Sequence, residues 1–362
     1  MKKQLQIFFD FLRFCIGSAD EIPSPLKEAD WKELYAIAQK QCLVGVLFDG
    51  IKKLPAEHVG MEKELLLQWM AESQMLEKAN VRLNDAAIQV SEWFRKKGFR
   101  TCILKGQGNA LLYPNPYSRT PGDIDIWVEG GDKRVISFVR SISPHEKACY
   151  HHIEFPSYKG VEVEVHYRPS FLLCFWHNRK LQKYYERVKE EQFSHRVMLG
   201  EQGEIAIPMV EFNLIFQLTH IYAHLMNEGI GLRQLLDYYY LISMLSVNCE
   251  MLTSLQKELK ELGLWKFAGA IMYIMQEVFG MPASRLIVPP NEKYGKFVLN
   301  EVLEAGNFGK HDERNRFGKS QFGHNLQRVY RDMRLMKYFP AEAMSEPFFR
   351  VWHFFWRMKN KK

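Results

Sequence analysis

Several common organising devices are missing from this sequence. None of its six cysteines (Cys15, Cys42, Cys102, Cys149, Cys174 and Cys249) forms a C-x-x-C pair. Thiols scattered through 362 residues argue against a disulfide framework or a cysteine zinc module, and predict reduced thiols in a cytoplasmic protein. No apolar run reaches the ~18 residues of a membrane span, so none is expected. The N-terminus sets two lysines before an apolar run, but Asp10 and Arg13 interrupt it and no small-residue cleavage site follows. Leu5, Phe8, Phe9 and Leu12 instead fall at helical spacing. There is no repeat period, no low-complexity tract and no H-E-x-x-H motif. Charge of one sign is also scarce. Lys plus Arg number 49 against 42 Asp plus Glu, a net of +7 that suits an anionic ligand without being a strong nucleic-acid signature.

What is present is globular: 47% apolar and 25% charged residues, which exclude disorder as the main state. Three regions are expected. Residues 1–98 read as helical, with a long helix over 61–97 stopped at Gly98. Residues 99–207 read as an α/β core. Its expected elements are a buried strand at 101–104, a helix at 106–113, a strand at 123–128, a helix at 133–141, and strands at 149–155 and 161–166 around a turn at 156–160. Residues 208–362 read as helical, with helices over 210–226, 232–245, 250–262, 264–279, 326–337 and 346–358. A loop is expected at Pro282, Pro289 and Pro290, and a weakly structured connection over 306–325. The fold class expected is α+β, a mixed sheet flanked by helices.

The chemistry concentrates in Ile103-Leu104-Lys105-Gly106, Arg119 and Gly122-Asp123-Ile124-Asp125-Ile126. Residues two apart on a strand share a face, so Asp123 and Asp125 present adjacent carboxylates while Ile124 and Ile126 face the core. Mg²⁺ takes oxygen ligands, commonly one or two carboxylates plus substrate phosphates. The strand Glu162-Val163-Glu164-Val165-His166 supplies a third acid, with Glu164 favoured over Glu162. Lys105-Gly106 sits at a strand-to-helix turn, where a glycine lets backbone approach a phosphate. Lys105 and Arg119 are the nearest cations for a triphosphate tail, and His152 and His166 complete the expected nucleotide-binding set.

This layout, continued by His151-His152 and Val163-Glu164-Val165-His166-Tyr167, resembles the uncharacterised nucleotidyltransferase family of the DNA polymerase β-like superfamily. The motif resemblance covers residues 99–170 and extends more weakly through 232–237 and 336–343. It implies a mixed sheet, use of an NTP with Mg²⁺ or Mn²⁺, and transfer of a nucleoside monophosphate. Asp123 and Asp125 would be metal ligands and Glu164 the third catalytic acid. One departure stands out: the superfamily's Gly-Ser or Gly-Gly turn is here Lys105-Gly106, followed by Gln107.

Other candidates carry less. His220 and His224 share a helix face and read as core or site-facing residues, not a metal pair. Arg233 and Asp237 read as an internal helix pair, and Tyr238 to Tyr240 as a packed helix. The basic, aromatic C-terminus reads as a helix docking on the protein itself, ahead of an RNA- or membrane-surface role. Two further functional readings remain: a nucleotide-binding module without turnover, favoured by the Lys-Gly turn, and a D-x-D glycosyltransferase, which would want a nucleotide-binding βαβ unit upstream. The acceptor is open: a small molecule, a sugar, a protein side chain or an RNA end.

Overall fold

The computed structural model describes residues 3–201, 203–245, 249–312, 314 and 321–360. The chain opens with α1 (Lys3–Ile16), α2 (Trp31–Lys40), α3 (Val44–Ile51) and the 34-residue α4 (Lys63–Lys96). α1 buries Phe8, Phe9 and Leu12 of the residues read at helical spacing, together with Ile7 and Phe11, while Leu5 is half-buried. The Asp30 side chain accepts from the backbone N–H groups of Lys32 and Glu33 and so caps α2. α4 belongs to two apolar clusters. Leu65 and Trp69 join the large helical core, while Leu83, Ala86, Val90 and Phe94 lie under the sheet.

The central unit runs β1 (Thr101–Ile103), α5 (Gln107–Ala110), β2 (Ile124–Val128), α6 (Gly131–Ile142), β3 (His152–Tyr158), β4 (Val161–His166), α7 (Phe175–Ser194), β5 (Arg196–Met198) and β6 (Glu204–Ala206). The main sheet has the order β1-β2-β4-β3, with β2 and β4 parallel and the outer pairs antiparallel. It is the mixed sheet flanked by helices that the sequence predicts. Ile124, Ile126, Val163 and Val165 pack on α4 and α6. The opposite face carries Asp125, Trp127, Glu164 and His166, with Trp127 against Phe193 of α7. There follow α8 (Val210–Asn227), α9 (Leu232–Ser243), α10 (Cys249–Glu261), α11 (Trp265–Glu277), α12 (Glu292–Ala305), α13 (Gln321–Met336) and α14 (Pro340–Lys359). Phe212 of α8 stacks on Trp127, so α8 also covers the carboxylate face of the sheet.

Several expectations need correction. The helix expected over 106–113 is only Gln107–Ala110. β3 starts at His152 and passes through Pro156 with a register shift, so the turn is Lys159-Gly160, both at positive φ. α7 and α12 were not anticipated. The last helix begins at Pro340 and carries Pro347 inside it. Within 306–325, Asn307–Gly309 form a 3-10 turn and α13 begins at Gln321, while residues 313 and 315–320 lie outside the described residues. The six cysteines form no disulfide. No described helix is long and apolar enough to cross a membrane.

Arg119, expected among the cations for a phosphate tail, is buried away from the cleft. Its guanidinium makes a buried fork with Asp237 of α9, Nε to Oδ1 at 2.8 Å and Nη2 to Oδ2 at 2.8 Å. Tyr113 donates to the same carboxylate at 2.7 Å. Asp237 therefore pairs across the fold and not with Arg233, whose Nη1 donates to the Thr120 carbonyl at 3.0 Å. Burial works against the Asp237 charge, but the Arg119 guanidinium outweighs it and holds the carboxyl below its usual range. Breaking one side of a buried pair strands the other charge, at a cost of about 3–5 kcal/mol. Asp237→Ala is therefore expected to lose about that much stability in urea denaturation, and Arg119→Met/Asp237→Leu to recover most of it. A loss under ~1 kcal/mol for Asp237→Ala would show the pair to be energetically idle.

Candidate active site

The site follows from strand register. β2 and β4 run parallel with Asp125 opposite Glu164, and the two-residue period turns both side chains to one face. Asp123 sits in the residue before β2. Carboxylate oxygens of Asp123, Asp125 and Glu164 lie within 4.8 Å of one another. β3 then places His152 opposite His166. His166 Nε2 lies 3.0 Å from Asp125 Oδ1 and 3.4 Å from Glu164 Oε2. His152 Nδ1 lies 3.2 Å from Glu164 Oε2 and 3.1 Å from His151 Nε2. From the end of β1, Lys105 Nζ reaches Asp125 Oδ1 at 2.7 Å and His220 Nε2 at 3.3 Å. Gly106 holds φ +50, a conformation that favours glycine, and stands in ordinary contact with the Asp123 carbonyl, 3.7 Å from where a Cβ would stand.

The charges are unevenly balanced. Asp125 is 3% exposed. Burial opposes its ionisation, yet Lys105 and the His166 hydrogen bond more than offset this and hold its carboxyl well below the usual range. Burial likewise opposes a charged His166, but hydrogen bonds to Asp125 and Glu164 raise it to about 9. Glu164 is lowered despite burial, chiefly by His166. At Asp123 the pull of Lys105 is too weak to compensate. Repulsion from Asp125, then burial, pushes it up to about 6. Burial and the nearby His166 lower His152 to about 4, so it is neutral at pH 7. Three acids thus face two cations, Lys105 and His166, which leaves an anionic centre ready for a further cation.

This centre opens into a cleft of about 380 Å³. α8 supplies His220 and His224, so the two histidines face the site as one of their sequence readings held. His220 stays neutral, its basicity lowered by burial and by Lys105. His224 Nδ1 contacts Glu228 Oε1 at 3.1 Å. The far wall comes from α13 and α14, with Arg328, Glu346, Arg350 and His353. Tyr150, Phe171 and Phe349 form an aromatic side, Phe171 and Phe349 stacked at 5.1 Å.

Of the residues singled out from sequence, Lys105, Asp123, Asp125, His152, Glu164 and His166 come together, with Gly106 at their edge. Arg119 is engaged elsewhere, and Glu162 is exposed farther along β4. The α13–α14 wall escaped sequence reasoning, because nothing in those residues carries a spacing that points to the acids. The signal available was charge: Glu342 and Glu346 lie among basic residues on one helical face.

A family model described as an uncharacterised nucleotidyltransferase matches residues 27–280, that is 254 of 362 residues. Among solved structures, the chain is similar to an antigenic nucleotidyltransferase-like protein from Paracoccidioides brasiliensis. The identity is 14%, covering 58% of this chain and 94% of that chain, with a TM-score of 0.33, too low to carry an argument. No curated protein matches the chain.

The Asp123 shift has a sign that can be checked. Its folded pKa of about 6 exceeds the ordinary 3.8, so metal-free folding loses stability as pH rises from about 4 through about 6. Asp123→Asn removes the repulsion. In urea denaturation with EDTA at about pH 7.5, it should be more stable than wild type by about 1–3 kcal/mol, and near pH 3.5 no more stable. Equal stability at both pH values would show that Asp123 carries no electrostatic penalty.

Proposed function

Because the chain belongs to the uncharacterised nucleotidyltransferase family, we propose that it moves a nucleoside monophosphate from an NTP to a hydroxyl acceptor and releases pyrophosphate. The observation that supports this most directly is the convergence of Asp123, Asp125 and Glu164 with more negative charge than Lys105 and His166 balance. An all-oxygen donor set that includes the repelled Asp123 carboxylate fits Mg²⁺ or Mn²⁺, and these three residues would hold it. Such an ion, when bound, supplies charge neutralisation to the phosphates and to the attacking oxygen.

The remaining work belongs to the chain. Lys105, on the floor of the cleft, and Arg328, on its far wall, offer cations to the phosphate tail. The aromatic side made by Tyr150, Phe171 and Phe349 offers a stacking surface to the base. His166 and Lys105 hold the Asp125 carboxylate in one orientation, and His152 and His166 do the same for Glu164. Glu164 has a side chain 34% exposed against 3% for Asp125, so it is the acid placed to receive the acceptor hydroxyl's proton. The oxygen then attacks the α-phosphorus, and the bond to the pyrophosphate oxygen breaks. Catalysis in this scheme rests on positioning and charge, as is usual for phosphoryl transfer.

The binding module without turnover has one observation of its own: Lys105 Nζ, 2.7 Å from Asp125 Oδ1, occupies a carboxylate that would otherwise serve a cation. The glycosyltransferase reading lacks its upstream unit, since the described residues before β1 are helices and loops. Calorimetry with each NTP and Mg²⁺, followed by pyrophosphate release in cell extract, tests the proposal. Wild type should bind and release pyrophosphate, and Asp123→Asn/Asp125→Asn should lower release by at least ~100-fold. NTP binding without release in wild type favours the binding module, release of nucleoside diphosphate favours the glycosyltransferase, and no NTP binding defeats both the transfer reaction and the NTP-binding module.

A further inference from the structure

α14 buries Ala343 and Phe349 but carries a second apolar stripe on its outer side. At 100° per residue, Met344, Phe348, Val351, Phe355 and Met358 fall on one narrow stripe. All five are exposed, Phe348 at 71%. The polar residues Glu342, Glu346 and His353 lie on the opposite side and point into the protein. Glu342 Oε2 accepts from the Leu173 backbone N–H at 2.6 Å, and Glu346 and His353 line the cleft. A surface helix normally buries its apolar stripe, so this face is shaped for something outside the fold. α13 continues the pattern with exposed Leu326, Val329, Met333 and Met336. The start of α7 extends it sideways: the Phe175 ring lies 5.8 Å from Trp352, and Trp176 is 76% exposed.

The charges around this face are mostly of one sign. Over residues 321–360 the acids are Asp332, Glu342 and Glu346, and all three are buried. Exposed toward the stripe on the same two helices are Lys337 and Lys359, while Arg328 and Arg357 lie on the cleft side. Beside Trp176 stand exposed Arg179, Lys180 and Lys183, with Glu186 as the acid at the edge. At the end of α14, Lys359 shares a groove with Lys133 and Arg140 in which no acid takes part. A second copy of this chain would set these cations against one another with no exposed hairpin acid to meet them. A lipid surface of negative charge matches both features, because Phe and Trp settle at the headgroup boundary while Lys and Arg meet the phosphates.

We propose that the outer face of α14, with α13 and the first turn of α7, docks on an anionic membrane surface without spanning it. The inner face of α14 lines the cleft, so docking brings that cleft to within about one helix diameter, ~10 Å, of the headgroups. A lipid-borne acceptor would then reach it. That last clause rests on the proposed transfer reaction; the docking itself does not.

The test is sedimentation of the full chain with vesicles of phosphatidylcholine alone or mixed with phosphatidylglycerol, with circular dichroism and thermal melting to confirm folding. Binding to the anionic vesicles is expected, weakening as salt rises, with tryptophan quenching by brominated acyl chains. Phe348→Ser/Phe355→Ser, at exposed positions outside the cleft, should fold normally and bind at least about tenfold more weakly. Binding equal on both vesicle types, absence of binding, or unchanged binding by the variant overturns the proposal. A dimer in light scattering that this variant converts to monomer overturns it too and assigns the face to a second copy. None of these readouts depends on turnover, so failure here and failure of the transfer reaction remain distinct.

Discussion

Mutual repulsion among three carboxylates is the constraint around which the centre of this protein is arranged. Asp123, Asp125 and Glu164 sit within 4.8 Å of one another in a mostly buried place, where like charges are costly. Each neighbouring element answers that cost. The β1 end delivers Lys105 to Asp125, and the β4 end delivers His166 between Asp125 and Glu164. β3 delivers a neutral His152 to the far side of Glu164. The compensation is incomplete at Asp123. That shortfall distinguishes a cation-ready centre from an internal salt-bridge cluster, in which every charge would be matched.

The helices set the scale of the cleft. The Arg119–Asp237 fork ties the segment leading into β2 to α9, and Tyr113 reinforces it from the chain before that segment. Trp127 stacking on Phe212 holds α8 against the carboxylate face. α8 therefore brings His220 within reach of Lys105 as a consequence of packing, with no local motif required. The C-terminal hairpin closes the opposite side. Its buried acids face the protein, leaving the hairpin's outer face apolar and basic.

Some of this was legible in the residues. The Asp123–Asp125 alternation, with Ile124 and Ile126 behind it, has a period of two that only a strand satisfies, and the Glu164–His166 strand has the same property. The helix stop at Gly98 was legible because its φ of +80 suits glycine. α7 was missed although Leu181, Tyr184, Tyr185 and Val188 carry helical spacing, because charged residues dilute it and its mean hydropathy is low. α12 was missed because the prolines before it drew the reading toward a loop. Arg119 was misjudged for a different reason. Its sequence neighbourhood points to the acids, while its true partner lies 118 residues away.

By itself, the sequence determined the local periods: which residues share a strand face, where the long helix ends, and that Asp123, Asp125 and Glu164 stand on or beside two strands of the same sheet unit. Periodicity is a property of neighbours and is written in adjacent residues. Only the tertiary structure decided which cation meets which acid, because ion pairing depends on distance in space. It sent Arg119 to Asp237, Lys105 to Asp125 and His166 between two carboxylates, and it turned the apolar stripe of α14 outward. A hydrophobic pattern specifies a face of a helix, but what that face meets is settled by packing.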